Sequence, residues 1–307
     1  MSPAPRVGLV LAGGGAKGAY HAGVLRYLGE RGVSFAAVAG TSIGALTAAV
    51  LAAAPSTAVA ADRLVALWRW TAGQAGTGPP GPPPRTTDRS ALRAFLRGLT
   101  SPLIHVDVIE RLVRDNVDVA ALRAGPDVWI SVYEAGPDLA GLGWMLDVAV
   151  ASVAPAPTWL HLQGLPAGSV HDAIRASAAL PAILPAHRVG ERRYRDGALG
   201  DNTPMTPIDR EGRCELAIVV HLGQGALFDR RDFATPILEV RPAEPFATAG
   251  AEFAAAYDFS PAQVDRLIAL GYADARERVG TLEDTLAAYA AKQRARDRLG
   301  NALRRRR

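Results

Sequence analysis

The stretch Gly40-Thr41-Ser42-Ile43-Gly44 decides the fold of this 307-residue chain, because it joins two buried elements through a tight turn. The apolar run at 33–39 predicts a buried strand before it, and the run at 45–51 predicts a buried helix after it. Glycine on both sides of Ser42 allows a strained turn that exposes a hydroxyl at its apex. The helix N-terminus that follows favours a developing negative charge. Ser42 is therefore a candidate nucleophile.

A second glycine-rich turn, Gly13-Gly14-Gly15-Ala16-Lys17-Gly18, lies between an apolar run at 7–12 and a predicted helix from Ala19. Its spacing fits G-x-G-x-x-G, but the second strand ends at Ala39-Gly40 without the carboxylate that a dinucleotide-binding fold uses for the ribose. A P-loop is excluded because no Gly-Lys-Ser/Thr follows. The bare amides of such a turn suit an oxyanion beside a nucleophilic serine. A nucleotide-binding protein stays as an alternative.

Charge and cysteine content restrict the class of protein. The net charge is +4, and Arg304–Arg307 supply four positive charges, so the remainder is balanced at 30 basic against 30 acidic residues. We interpret this tail as a solvated end, with contact to anionic lipid or nucleic acid as the alternative. The single Cys214 excludes an intrachain disulfide and fits a reducing compartment; as a nucleophile it is weak, because its position next to a strand predicts burial.

The two ends of the chain and its apolar runs predict a cytoplasmic protein. The segment at 1–6 is short and proline-rich and leads straight into a strand, without the pattern of a signal peptide. The longest apolar stretch, 45–61, is interrupted at 55–57 and falls short of the roughly 20 residues of a membrane span. We expect one hydrolase domain over 1–307, with a motif-bearing core at about 7–207, further strands and helices at 213–300 and a basic tail at 301–307.

The middle of the chain predicts further strands and helices. A Gly/Pro-rich stretch at 71–89 predicts a surface loop that could act as a flap beside the site. The remaining predicted elements are a strand pair at 128–133 and 144–148, a helix at 172–179, a hairpin at 188–195, strands at 215–222 and 237–240, and a helix starting at Ser260-Pro261.

A serine nucleophile needs a base, and histidine is the usual one. Of the six histidines only His221 follows a candidate acid, Asp196, in the chain. The order Ser42, Asp196, His221 reproduces that of the α/β-hydrolase triad. An esterase with this triad is an alternative, although a histidine that ends a strand is more often structural.

Three motifs taken together indicate a protein family more specifically than any one of them alone. Gly13–Gly18, Gly40–Gly44 and Asp196-Gly197-Ala198 resemble, in order, the three signatures of the patatin-like phospholipases. The segment Arg175-Ala176-Ser177-Ala178-Ala179-Leu180-Pro181-Ala182-Ile183-Leu184-Pro185 is similar to the one that precedes the Asp-Gly pair in that family. The resemblance covers about 7–207.

The resemblance implies an α/β fold of three α/β/α layers around a mostly parallel sheet. It implies that Ser42 is the nucleophile and Asp196 the base, without histidine. The substrate would be a lipid or another ester, cleaved through an acyl-enzyme without metal or cofactor. We expect no nucleic-acid partner and a transient contact with a membrane surface. The amides of Gly13, Gly14, Gly15 and Ala16 would form the oxyanion hole, supported by Lys17, Gly18, Gly40, Gly44 and Gly197.

Overall fold

An eight-stranded mixed sheet runs through the part of the chain that the computed structural model describes. The described residues are 5–75, 106–137, 143–181, 183–210, 214–225, 228–247 and 255–281. The strands are β1 (Val7–Leu11), β2 (Ala37–Thr41), β3 (Asp127–Glu134), β4 (Pro157–His161), β5 (His187–Val189), β6 (Arg192–Asp196), β7 (Leu216–Val220) and β8 (Ile237–Val240). Their order is β5-β6-β3-β2-β1-β7-β8, and β4 also pairs with β3.

Helices cover both faces of this sheet. They are α1 (Ala19–Glu30), α2 (Ile43–Ala52), α3 (Thr57–Ala75), α4 (Val106–Asn116), α5 (Val119–Ala124), α6 (Gly143–Val153), α7 (Ala167–Ser177), α8 (Thr206–Arg210) and α9, which covers 261–281. Successive residues of a strand point to opposite faces. Leu9 and Leu11 accordingly join a large core with α1 to α3, whereas Val10 joins a smaller core with α8.

The pairing pattern confirms the predicted α/β fold with flanking helices. The central strands β3, β2, β1, β7 and β8 run parallel, while β4, β5 and β6 add antiparallel pairs at one side. Parallel strands bring their carboxyl ends to one edge of a sheet, which is where α/β proteins place their sites. The turn after β1 and the turn after β2 lie at this edge.

The register of β3 brings the two halves of the predicted site together. Its residues 129–133 pair with β4 along one edge, so its other edge holds both β2 and β6. On that edge Thr41 lies opposite Ser131, and Asp196 lies opposite the next residue, Val132. The carboxyl ends of β2 and β6 therefore meet end to end. This meeting places Asp196 next to Thr41 and hence beside Ser42.

Two predictions of secondary structure are wrong. Residues 144–148 form part of α6 and not a strand, and the antiparallel partner of β3 is instead β4. Residues 71–75, predicted as the start of a loop, are the end of α3. The remainder of the Gly/Pro-rich stretch, 76–89, and the tail at 301–307 lie outside the described residues. Among the helices that the structure describes, none combines the length and the apolar character needed to cross a bilayer.

Candidate active site

Ser42 occupies a strained turn between β2 and α2. Its backbone has φ 56° and ψ −120°, and among the described residues it is the only non-glycine residue with a positive φ. Such a conformation costs on the order of 1–3 kcal/mol and persists only where the surroundings impose it. The helix α2 begins at the next residue, so its positive N-terminal end lies beside the serine. The turn thus has the features of a nucleophile elbow.

One buried side chain holds the strained backbone of Ser42. The Ser42 amide donates to Ser177 Oγ at 2.9 Å, and this hydroxyl donates in turn to the Ser131 carbonyl at 2.7 Å. Two residues later, the Ala179 carbonyl accepts a hydrogen bond from the Asp196 amide at 3.0 Å. The last residue of α7 and the residues that follow it, at 177–181 and 183–184, form a bridge segment that fixes the backbones of both Ser42 and Asp196.

Asp196 is a buried carboxylate in contact with the serine. It is 1% exposed, and its Oδ1 accepts from the Ala198 amide at 2.9 Å. Burial raises the pKa of Asp196 from 3.8 to about 6, while the bond from Ala198 and the Ser42 hydroxyl oppose this rise. Its Oδ2 accepts no hydrogen bond of regular geometry from the described residues. This carboxylate is a stronger base than an exposed aspartate, and near pH 7 it is ionised.

The glycine-rich turn after β1 offers fewer amides than the sequence predicts. The Gly13 amide donates to the Asn202 carbonyl at 3.2 Å, and the Ala16 amide donates to the Ala256 carbonyl at 2.8 Å. An amide that already donates within the protein is not available to an oxyanion. Two of the four predicted donors are therefore engaged elsewhere.

The amides of Gly14 and Gly15 are the remaining donors of this turn. No hydrogen bond within the described part of the chain engages either of them. Gly15 has φ +57°, and a Cβ there would lie 2.3 Å from the Ala256 carbonyl oxygen. Gly15 also lines the same cavity as Ser42. Of the four predicted donors, these are the two whose amides make no hydrogen bond within the described part of the chain.

The other motif residues define close packing around the elbow. A Cβ on Gly44 would lie 2.2 Å from the Leu11 carbonyl oxygen, so α2 can approach β1 only with glycine there. Gly40 is the residue before Thr41 in β2, Gly18 is the residue before α1, and Gly197 begins the turn after Asp196. The half-buried Lys17 lies with its Cε near Gly14.

An apolar cavity of about 120 Å³ opens onto Ser42. Its lining contains no charged side chain among the described residues. Side chains from α2, α4 and α7 contribute to it, with Leu180 and Leu184 from the bridge segment. Apart from Ser42, its polar side chains are Thr71 and Tyr257. The cavity offers an apolar surface to the hydrocarbon next to an ester held at the serine.

His221 does not join Ser42 and Asp196. It follows β7 directly, and β7 is separated from β2 by β1, so two strand spacings of about 5 Å each lie between the two strands. Its Nε2 faces Glu239 at 3.0 Å and its ring packs against Phe228. Burial, followed by the charge of Arg241, lowers the pKa of His221 to about 4. Within the described part of the chain no hydrogen bond, ion pair or ring contact links it to the serine, so the geometry does not favour the triad.

Cys214 is buried in the small core on the opposite face of the sheet, together with Val10 and Ile208. This location separates it from the cavity at Ser42. Among the residues that the structure describes, no three His, Cys, Asp or Glu side chains lie close enough together to hold a metal ion.

Sequence reasoning missed three residues that shape this site. Ser177 lies within a predicted motif segment that assigns it no role, and nothing in the sequence around Asn202 predicts its contact with Gly13. Tyr257 lines the cavity, and burial and the charge of Asp196 raise the pKa of its phenol, which stays protonated. The sequence signal for Tyr257 is its position two residues before Phe259-Ser260-Pro261. Its closeness to Asp196 depends on tertiary packing.

Comparisons with known proteins agree with the motifs. The family model described as patatin-like phospholipase matches residues 9–209. An uncharacterized NTE family protein of Mycobacterium tuberculosis is 29% identical over 232 residues, covering 75% of this chain and 53% of that protein. The lysophospholipase NTE1 of Mycosarcoma maydis is 41% identical over 207 residues, covering 65% of this chain and 9% of that protein. This chain thus spans about half the length of the mycobacterial relatives.

Among solved structures, VipD from Legionella pneumophila matches with a TM-score of 0.42 and 15% identity, over 87% of this chain and 67% of that one. The type III effector ExoU matches with a TM-score of 0.42 and 17% identity, over 91% of this chain and 54% of that one.

Proposed function

Because this chain belongs to the patatin-like phospholipase family, we propose that it is a serine hydrolase that cleaves fatty-acyl ester bonds of lipids. One observation carries the proposal: a strained serine and a buried carboxylate with a raised pKa meet at the end of an apolar cavity. This combination suits acyl transfer, because each part meets one requirement of the reaction. The cavity binds the chain, Ser42 attacks and Asp196 takes the proton.

The first half of the reaction forms an acyl-enzyme. Ser42 Oγ attacks the ester carbonyl carbon while its proton passes to Asp196. The negative charge that develops on the carbonyl oxygen is stabilised by the amides of Gly14 and Gly15 and by the N-terminus of α2. The tetrahedral intermediate then collapses, and the leaving alcohol or lysolipid departs with the proton held by Asp196.

The second half releases the fatty acid. Asp196, now ionised again, takes a proton from a water molecule as its oxygen attacks the acyl carbonyl. Collapse of this second intermediate breaks the bond to Ser42 Oγ, which recovers the proton. Bond making and proton transfer balance in each half, and both use the same pair of side chains.

The lining of the cavity supports a fatty-acyl substrate over a polar one. A charged or hydrogen-bonding acyl group would lose its hydration there with only Thr71 and Tyr257 as side-chain partners beyond the serine, at a cost of about 1–3 kcal/mol for each polar group left unpaired. A hydrocarbon chain gains from the same transfer. A relative at 41% identity carries the name lysophospholipase, which fits a single-chain lipid ester as substrate.

The test is ester turnover by four variants of the full chain. Ser42→Ala and Asp196→Asn remove the nucleophile and the base, and Ser56→Ala and Asp62→Asn make the same chemical changes at exposed positions. The substrates are a long-chain p-nitrophenyl ester and a lysophospholipid. We expect a loss of at least about 1,000-fold in kcat for each site variant and less than about twofold for each control.

Substantial turnover by Asp196→Asn, within about tenfold of the unmodified enzyme, would contradict the role of this base. Loss of turnover in His221→Ala, with a circular dichroism spectrum equal to that of the unmodified protein, would instead support the triad.

A further inference from the structure

An apolar face of α6 lies exposed beside the turn that carries Asp196. Among the described residues, five large hydrophobic side chains are exposed, and four of them, Met145, Leu146, Val150 and Val153, belong to this helix. At 100° per residue these four positions fall within one arc of about 140°. Ala149 lies within the same arc and is also exposed. The helix thus presents one continuous apolar face outward.

The polar side of α6 is turned inward and fixed. Its only charged residue, Asp147, is buried and accepts from Arg195 Nε at 2.5 Å and from the Gly136 amide at 2.9 Å. A buried ion pair with additional hydrogen bonds has one well-defined geometry. The outward orientation of the apolar face is therefore imposed by this anchor, and rotation of the helix to bury that face would break it.

The anchor also sets the position of α6 relative to the catalytic pair. Arg195 is the residue directly before Asp196 in β6, and α6 packs against the turn Gly197–Leu199 that follows it. The exposed face therefore belongs to the same side of the molecule as the Asp-Gly turn.

The area of this face and the charges around it indicate what kind of partner it binds. An 11-residue helix is about 16 Å long and about 10 Å wide, so its face offers about 160 Å², far below the roughly 800 Å² per partner of a stable protein interface. An interfacial helix needs only a set of apolar side chains that enter the acyl boundary of a bilayer. The neighbouring hairpin of β5 and β6 brings no net charge to this face, because its exposed Arg188 and Arg192 pair with Glu191 and Glu134.

We propose that α6 is an interfacial helix whose face of Met145, Leu146, Val150 and Val153 docks on a lipid surface and holds the active site against it. The proposal rests on the proposed function and deepens it, since it supplies the contact with a bilayer that a hydrolase of membrane lipids needs. It requires no helix that crosses the membrane. The four side chains enter the headgroup and acyl boundary, while Asp147 keeps the helix attached to β6.

The test compares vesicle binding and turnover in a double variant, Leu146→Asp with Val150→Asp. The matched control, Ala262→Asp with Ala269→Asp, adds the same two charges to exposed alanines of α9. Binding is measured by co-sedimentation with vesicles of phosphatidylcholine, with and without phosphatidylglycerol. We expect binding by the α6 variant to fall at least about tenfold and that of the control by less than about twofold. Hydrolysis of vesicle phospholipid falls with binding, whereas turnover of a short-chain, water-soluble ester is unchanged.

Binding by the α6 variant within twofold of the unmodified protein would overturn the proposal, as would an equal loss in the control. Sedimentation velocity gives a further check: a dimer that the α6 variant converts to a monomer, without vesicle binding by either, would assign the face to self-association. Vesicle binding does not depend on turnover, so the docking can be measured in Ser42→Ala. If the unmodified protein cleaves no ester yet binds vesicles through α6, the proposed function fails and the docking stands.

Discussion

Replacement of Asp196 by asparagine is expected to abolish turnover and, at neutral pH, to make the fold more stable. The carboxyl is buried, and burial raises its pKa from 3.8 to about 6. A raised pKa means that the folded state binds the proton more tightly than the unfolded state does. The stability that this group contributes is therefore full below pH 3.8 and is lost as the pH rises through 6.

The magnitude follows from the shift. A difference of about 2 pKa units, at 1.36 kcal/mol each, makes ionised Asp196 cost about 3 kcal/mol at pH 7. Asparagine has nearly the same shape and its oxygen can still accept from the Ala198 amide, but it carries no charge. We expect Asp196→Asn to raise the free energy of unfolding by roughly 2–3 kcal/mol at pH 7, and the melting temperature on the order of 6 °C. Below pH 4 the gain disappears.

The assay is urea unfolding of the unmodified protein and of Asp196→Asn, in parallel, at several values between pH 4 and pH 7.5. Only the difference between the two proteins is interpreted, so other titrating groups cancel. Asp62→Asn is the control, because Asp62 is exposed on α3. A variant less stable than the unmodified protein at pH 7, or a difference that does not change with pH, would refute the argument that burial makes Asp196 a strong base.

Four further outcomes follow from the same structure. The acidic limb of kcat/KM should have an apparent pKa of about 6, measured with an uncharged ester, because Asp196 acts ionised. Ser177→Ala should lower kcat roughly 10- to 100-fold with little change in KM, and cost about 1–3 kcal/mol in urea unfolding, because it leaves the Ser42 amide unpaired. His21 is buried, and no described residue forms a hydrogen bond with either of its ring nitrogens. Burial lowers its pKa to about 3, so the folded state binds fewer protons than the unfolded state and stability falls below pH 6.5. At pH 5 the loss is about 2 kcal/mol, and it should be absent from His21→Met. Gly44→Ala should cost more than about 2 kcal/mol in thermal or urea unfolding, because its Cβ would lie 2.2 Å from a β1 carbonyl oxygen, whereas Gly168→Ala, with open space, should be neutral or stabilising.

Local signals in the sequence were enough to predict the strands and turns that carry the motifs. Buried parallel strands are continuous apolar runs, and β1, β2 and β7 lie within one to four residues of their predicted bounds. The elbow at Ser42 follows from glycine at both sides. The contact between Ser42 and Asp196 could be predicted only from the resemblance to the family. The register of β3 that brings them together has no signature in either segment.

Tertiary packing decided the points where the sequence misled. The run at 144–148 is short and apolar, so its period does not separate a strand from a helix. The buried ion pair of Asp147 with Arg195, 48 residues away, holds these residues as a helix against β6. The oxyanion donors were over-counted for a similar reason. The acceptors that engage Gly13 and Ala16 come from Asn202 and Ala256, far along the chain.

Labelling with a fluorophosphonate, mapped by peptide mass spectrometry and followed as a function of pH, tests the Ser42–Asp196 pair most directly. The probe reports acylation chemistry without any assumption about the lipid. The account predicts a single adduct on Ser42, a labelling rate that rises with an apparent pKa of about 6, and at least about 100-fold slower labelling in Asp196→Asn. An adduct on another residue, or an unchanged rate in Asp196→Asn, would contradict it.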